Sequence, residues 1–384
     1  MGRGQVRPDR YRGGVRNLVL VPAVGTASFV ETLERIWDAG HAALPLDPRL
    51  PQAAADALVG RLAPTHVADG DRWEALPDGR PVEDGDALVV ATSGSTGQPK
   101  GVVLTHASLH ASAVATSARL DVDPTTDRWL ACLPLAHVGG LGVVVRALVT
   151  GTPVELARRP DPEMIASAPE RGVTLTALVA TVLGRADTSG FRVVLVGGAA
   201  APSDVGDNVV VTWGMTETGG GIVYDGTPLE GTEVRSTDGR LEVRSPSLLR
   251  CYRDRSGDID PRAQDGWFDT GDLGELNAGR VVVHGRAGDL IITGGENVWP
   301  APVEQVLATC PGVAEVAVVG RPDPEWGQVI TAVVVAADAT SPPTLDQLRS
   351  HVRAELPAHA APRRVEFVEA IARTPLGKVQ RASL

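Results

Sequence analysis

Two residues in this chain carry a charge that nothing else in it carries in the same form. Of 36 basic residues, 34 are arginine and two are lysine, Lys100 and Lys378. A compact, flexible ammonium can meet a single phosphate or carboxylate oxygen in a way that a planar guanidinium fork does not. Coding bias toward arginine accounts for the scarcity of lysine but not for where the survivors sit. Lys100 closes the run Thr92-Ser93-Gly94-Ser95-Thr96-Gly97-Gln98-Pro99-Lys100-Gly101, and Lys378 lies in Pro375-Leu376-Gly377-Lys378-Val379-Gln380-Arg381. The first run follows the apolar stretch 87–91, which reads as a short buried strand. A strand ending in Gly, Ser and Thr offers backbone amides and hydroxyls to an oxyanion. Gly94 and Gly97 admit close backbone approach, and Lys100 adds a mobile positive charge. A flexible Ser/Gly turn is the bland alternative. A Walker loop would need Gly, four residues, then Gly-Lys-Ser/Thr. Here the lysine comes three residues after Gly97 and is followed by Gly101, so that reading fails. The loop is a phosphate cradle of another kind.

Strands and helices have to carry these loops, and the apolar pattern supplies them. Residues 28–39 read as a helix, 104–120 as a second, 129–135 as a strand, and 191–196 as an apolar strand stopped by Gly197-Gly198. This alternation predicts an α/β fold with helices on the faces of a sheet. Residues 231–285 change to short strands split by Gly, Asp and Pro, a small β-rich subdomain. After Arg286 a new unit begins, with helices at 302–309 and 345–356 and strands at 313–319 and 329–336. The expected organisation is a large N-terminal domain, residues 1–286, and a small α+β C-terminal domain, residues 287–384.

Composition narrows the function class. An apolar fraction of 43% and a charged fraction of 22% are ordinary for a globular chain long enough for a substantial core. A net charge of −11 argues against nucleic acid as a partner and means that any anionic substrate is held by a few local cations. No apolar run reaches the roughly 18–20 residues of a membrane span. Five arginines among the first sixteen residues precede a short apolar run that Pro22 interrupts, which is a poor secretion signal. Cys132, Cys251 and Cys310 are odd in number and widely spaced, so neither a disulfide framework nor a metal cluster is expected, and a cytoplasmic location fits best. Oligomeric state is left open, a homo-oligomer included.

Thr92 to Gly101 resembles the signature loop of the adenylate-forming superfamily of acyl-CoA synthetases, adenylation domains and beetle luciferases. Four further matches follow in that superfamily's order: Trp213-Gly214-Met215-Thr216-Glu217-Thr218, Thr270-Gly271-Asp272, Gly285-Arg286 through Gly294-Gly295-Glu296, and the Lys378 motif. Together they span residue 87 to the end. The resemblance implies attack of a carboxylate on the α-phosphate of ATP, then transfer of the acyl group to coenzyme A. It implies that Glu217 binds Mg²⁺ beside the Thr96 hydroxyl and that Thr216 donates to the α-phosphate. Residues 92–97 and Lys100 would cradle the phosphates. Gly198, Ala199, Ala200, Trp213 and Gly214 would line the adenine slot. Asp272 would accept the ribose hydroxyls, a task suited to a carboxylate's two oxygens, and Arg286 would contact ribose or phosphate. Lys378 would reach the carboxylate and α-phosphate, then leave as a mobile C-terminal domain rotates and Gly294-Gly295-Glu296 shapes the pantetheine tunnel. Where this superfamily commonly has Asp or Lys at its hinge, the chain has Gly288, so no side-chain role carries over there.

His137, Gly139 and Gly140 lie in Leu133-Pro134-Leu135-Ala136-His137-Val138-Gly139-Gly140, which resembles the superfamily's acyl-pocket segment. Arg146 follows in an otherwise apolar run, where a charge needs either a partner or a route to the surface. This spacing and the segment 224–229 resemble o-succinylbenzoate–CoA ligases of menaquinone synthesis. Their substrate has two carboxylates, one of which reacts, so Arg146 is the implied cation for the other. The usual Ser-Gly is replaced here by Gly139-Gly140. A ligase for another aryl or medium-chain acid, a domain that loads a carrier protein, and an inactive nucleotide-binding module are the competing readings.

Overall fold

The computed structural model describes residues 15–70, 72–93, 99–198, 205–373 and 379–384. The chain divides into two compact units, one of residues 1–234 and 243–268, the other of residues 235–242 and 269–384.

The first unit is built on two large sheets. One has eight strands in the order Gly257–Ile259, Cys251–Asp254, Pro99–Thr105, Asp86–Ser93, Ala42–Leu46, Leu18–Pro22, His66–Asp69 and Arg72–Ala75. Its middle is parallel and its two ends are antiparallel. The helix Ala27–Asp38 buries Phe29, Leu33, Ile36 and Trp37, a stripe at three- and four-residue spacing. Its Trp37 indole donates to the Ala87 carbonyl at 2.9 Å, which ties the helix to the strand Asp86–Ser93. The second sheet has seven strands, ordered Thr227–Pro228, Gly220–Tyr224, Val209–Met215, Val193–Val196, Leu175–Leu178, Trp129–Ala131 and Val154–Leu156. The α/β expectation is met in both.

Local readings shift in three places. The helix read over 104–120 is present as His106–Arg119, and its first two residues, Leu104 and Thr105, belong instead to the strand Pro99–Thr105. Leu104 continues the buried run Val102-Val103 and pairs with Leu88, so strand pairing claims it ahead of the helix. Thr105 then starts the helix, its hydroxyl accepting the Ser108 amide at 3.0 Å. The strand expected over 129–135 stops at Ala131, with Pro134 close behind. Within the β-rich stretch, Cys251–Asp254 and Gly257–Ile259 join the eight-stranded sheet rather than standing apart.

The second unit contains the hairpin Phe268–Asn277 and Arg280–Arg286, part of a four-stranded sheet with Glu233–Thr237 and Arg240–Arg244. Beyond it lies a sheet of Glu296–Val298, Ile291–Thr293, Gly327–Ala336, Val313–Asp323 and Arg364–Phe367. The helices Pro300–Ala308 and Leu345–Glu355 bury Val303, Leu307, Leu348 and Val352 in one core with Ile330, Ala332 and Val334. Among the described residues, no helix is long and apolar enough to cross a membrane.

Candidate active site

The lysine loop joins two antiparallel neighbours. Thr92 stands opposite Lys100 and Ser93 opposite Pro99 in this antiparallel hairpin. Gly94, Ser95, Thr96 and Gly97 lie outside the described residues. The base of that hairpin is rigid for a packing reason: Ala87 through Val90 are all but fully buried, and a Cβ on Gly101 would come within 2.8 Å of both Leu62 and Val89. Gly101 is therefore accounted for by packing beneath the sheet. Lys100, one residue earlier, faces the other side.

Its neighbour on that side comes from far along the chain. Val102 is opposite Tyr252 in the antiparallel pair of Pro99–Thr105 with Cys251–Asp254, which makes Lys100 and Tyr252 diagonal neighbours on one face. The Lys100 ammonium sits 4.9 Å from the centre of the Tyr252 ring. The Tyr252 hydroxyl donates to Glu217 Oε1 at 2.8 Å. Lys100 and Glu217, 117 positions apart in the chain, thus meet on one tyrosine. Tyr252 was absent from the sequence reading. Its strand is fixed from behind by Arg253, which is 1% exposed and donates to the carbonyls of Leu62 (3.0 Å), Pro81 (2.8 Å), Ala63 (3.3 Å) and Arg80.

Glu217 occupies a single 3₁₀ turn, Thr216–Thr218, directly after the strand Val209–Met215. The turn is locked from inside. The buried Thr218 hydroxyl accepts the Met215 amide at 3.0 Å and donates to the Gly220 carbonyl at 2.6 Å, while the Leu249 amide donates to the Glu217 carbonyl at 2.7 Å. Gly214 is required by close approach, since a Cβ there would lie 2.1 Å from the Gly220 carbonyl oxygen. Thr216 and Trp213 are half-buried on the same segment. The parallel neighbour Val193–Val196 pairs Val196 with Val211. Two residues beyond each come Gly198, at φ +86°, and Trp213. Ala199 and Ala200 lie outside the described residues.

On the acyl side, His137 precedes the helix Val138–Thr150. Gly140 presses that helix onto the preceding chain, where a Cβ would be 2.3 Å from the Leu133 carbonyl oxygen; Gly139 is less constrained, at 3.4 Å from Leu133 Cδ1. Asp47 belongs to the same neighbourhood and was not foreseen. Its buried carboxyl is held below the usual carboxylate range chiefly by Arg49, 2.6 Å away, and His137 contributes to the same shift.

Arg146 is 5% exposed. Its guanidinium lies over the Trp129 ring at 4.9 Å, and among the described residues no carboxylate pairs with it and its Nε has no hydrogen-bond partner. Burial pulls the guanidinium's pKa down and pushes that of nearby Tyr224, whose hydroxyl is 3.1 Å from Thr116 Oγ1, up. A guanidinium stays charged through such shifts, so this is a buried positive charge without a counter-ion. It also borders the Glu217 turn: a Cβ on Gly142 would be 3.5 Å from both Arg146 Nη1 and the Gly219 carbonyl oxygen.

In the second unit, Asp272 and Arg286 face each other across the hairpin, with Arg286 Nε 3.0 Å from Asp272 Oδ1. Arg286 also donates to the Thr270 carbonyl at 2.7 Å. Asp272 is buried while Arg286 is half-exposed, so this arginine holds the carboxylate in place from the solvent side. Gly294 and Gly295 form the turn between Ile291–Thr293 and Glu296–Val298, at φ +59° and +86°. A Cβ on Gly294 would lie 2.6 Å from the Trp326 ring, and Arg363 stacks on that ring at 3.7 Å. Gly288 has open space around its Cβ position and no positive φ, so neither packing nor conformation demands glycine there. Lys378 lies outside the described residues; nearby, Arg373 and Val379 form an antiparallel bridge and the Gln380 amide donates to the Ala372 carbonyl at 2.8 Å.

Among the described residues, no three His, Cys, Asp or Glu side chains gather as a metal centre. Glu217 nevertheless fits Mg²⁺. That ion takes oxygen donors and is typically held by one or two carboxylates with substrate phosphates supplying the rest.

Comparison with known proteins gives the same outline. The AMP-binding enzyme family matches residues 56–242, and the AMP-binding enzyme C-terminal domain matches residues 302–378. A probable 2-succinylbenzoate–CoA ligase from Mycobacterium tuberculosis is 42% identical, over 81% of this chain and 86% of the relative. A 2-succinylbenzoate–CoA ligase from Bacillus cereus is 35% identical, over 77% and 69%. Among solved structures, o-succinylbenzoate CoA synthetase from Bacillus subtilis with its acyl-adenylate superposes with a TM-score of 0.81 at 27% identity, covering 95% of this chain and 87% of that one. The same enzyme with ATP and magnesium ion gives 0.83 at 26% identity, over 96% and 89%.

Proposed function

Because the chain belongs to the AMP-binding enzyme family, we propose that it joins 2-succinylbenzoate to coenzyme A through an acyl-adenylate. The observation that carries the substrate assignment is Arg146, a buried guanidinium with no counter-ion among the described residues, beside the Glu217 turn. A monoacid pocket has no use for such a charge. A diacid supplies the missing anion with the carboxylate that does not react, and keeps the other free for ATP.

In the first half-reaction, an oxygen of the reacting carboxylate bonds to the α-phosphorus as the bond to the β-phosphate oxygen breaks and pyrophosphate leaves. An anion must approach a polyanion, so catalysis consists of positioning and charge neutralisation. Lys100 meets the phosphates, Thr216 donates to the α-phosphate, and Glu217 with the Thr96 hydroxyl holds Mg²⁺, which when bound neutralises charge on the phosphate oxygens. Trp213 and residues 198–200 receive adenine. Asp272, kept in place by Arg286, receives the ribose hydroxyls. Lys378 bridges the acid and the α-phosphate. In the second half-reaction the thiol sulfur of coenzyme A bonds to the acyl carbon and AMP leaves. Residues 287–384 act as the moving domain, and the Gly294-Gly295-Glu296 turn guides the thiol.

Incubation with ATP, Mg²⁺, coenzyme A and a panel of mono- and dicarboxylic acids, followed by mass spectrometry of the thioesters, tests the assignment. The expected product is 2-succinylbenzoyl-CoA with AMP. A preference for benzoate or a medium-chain monoacid, or acyl transfer to a phosphopantetheinyl carrier protein but not to coenzyme A, would overturn it.

A further inference from the structure

We propose that Tyr252 is a positioning residue for the metal–triphosphate end of this site, its hydroxyl setting the Glu217 carboxylate and its ring seating the Lys100 ammonium. The inference rests on the ligase reading, which supplies the roles of Glu217 and Lys100.

Two opposite charges on one face of a cleft tend to collapse into an ion pair. A pair so formed would have to be broken before either partner could take its ligand. Among the described residues neither Lys100 nor Glu217 is in an ion pair, and both contact the neutral tyrosine. The two contacts use different parts of that side chain. At the ring's edge, the O–H donates 2.8 Å to Glu217 Oε1 and leaves Oε2 for a hard cation. At the ring's face, the quadrupole attracts the ammonium at 4.9 Å without consuming any of its three N–H donors. The strand that carries Tyr252 does not yield, because Cys251 and Arg253 on either side of it are buried on the opposite face.

One substitution therefore removes one function. Tyr252→Phe deletes the hydroxyl and keeps the ring; Tyr252→Leu deletes both. The probes are Mn²⁺, followed by electron paramagnetic resonance, and α,β-methylene-ATP, whose binding is followed by calorimetry with and without EDTA. In Tyr252→Phe, Mn²⁺ affinity in the presence of the analogue should fall about tenfold, the scale of one hydrogen bond to a charged group. Metal-free analogue affinity should stay within about twofold. Tyr252→Leu should also weaken the metal-free analogue, by roughly three- to tenfold, through loss of the ring contact. In a Glu217→Gln background, Tyr252→Phe should add no further loss of Mn²⁺. Unchanged Mn²⁺ affinity in Tyr252→Phe would overturn the proposal, as would equal loss with and without metal or additive loss in the double variant. None of these titrations contains an acid or coenzyme A, so a wrong substrate assignment leaves their outcome untouched.

Discussion

Replacing Arg146 with methionine should make the unliganded protein more stable and the enzyme worse. The guanidinium is 5% exposed, has no carboxylate partner among the described residues, and lies over the Trp129 ring. Its lowered pKa states the same fact: the charged form opposes folding wherever it stays protonated, which is the whole accessible pH range. Removing an ion from water costs several kcal/mol, and the aromatic face offsets about 2 kcal/mol of that. A neutral side chain of similar volume should therefore recover on the order of 1–3 kcal/mol, read as a rise of a few degrees in Tm without ligands. With 2-succinylbenzoate the sign reverses. Loss of a buried charge-assisted contact costs about 2–5 kcal/mol, or roughly 30- to 5,000-fold in kcat/KM. Any activity toward a monoacid of the same ring size should change by less than about threefold. Thermal and urea unfolding of the apoprotein, with kinetics on the two acids, reads both halves. Destabilisation by about 3 kcal/mol or more with equal losses on both acids would make Arg146 a structural residue and refute the reasoning.

Lys378→Ala should abolish ATP–pyrophosphate exchange, by about 10²–10³-fold or more, yet leave the reaction of supplied acyl-adenylate with coenzyme A within a few-fold; equal loss in both halves would count against a domain alternation. Gly294→Ala introduces a Cβ 2.6 Å from the Trp326 ring at a positive φ. It should raise KM for coenzyme A by about tenfold while exchange changes by less than about threefold. Burial pushes the Cys132 thiol up to about 11 and Cys251 up to about 12, so both stay protonated at pH 8. Together with the buried Cys310 they should resist a thiol reagent until the chain is unfolded, when all three react.

The motif residues were legible because each combines a scarce residue type with a local pattern: a lysine beside glycines, an acid after an aromatic-glycine pair, an arginine within an apolar run. Relations across strands were not. Nothing near Tyr252 in the sequence announces that it opposes Val102, since the pairing of Cys251–Asp254 with Pro99–Thr105 spans some 150 residues. Asp47 was missed for the same reason, its link to His137 being spatial only. The helix read from residue 104 begins two residues later, where Thr105 caps it, because Leu104 pairs with Leu88 across the sheet. Gly101 drew no role of its own from the sequence, and only the proximity of Leu62 and Val89 reveals its packing role.

The first 85 residues contribute none of the side chains assigned to chemistry, yet Arg253 gives them a share in it. Its guanidinium grips peptide carbonyls at 62–63 and 80–81, and the residue just before it is the tyrosine that touches both Glu217 and Lys100. This amino-terminal portion thus works as a foundation: its strands Leu18–Pro22 and Ala42–Leu46 fill the middle of the eight-stranded sheet, and its carbonyls at 62–63 and 80–81 anchor the strand next to the one that carries the lysine.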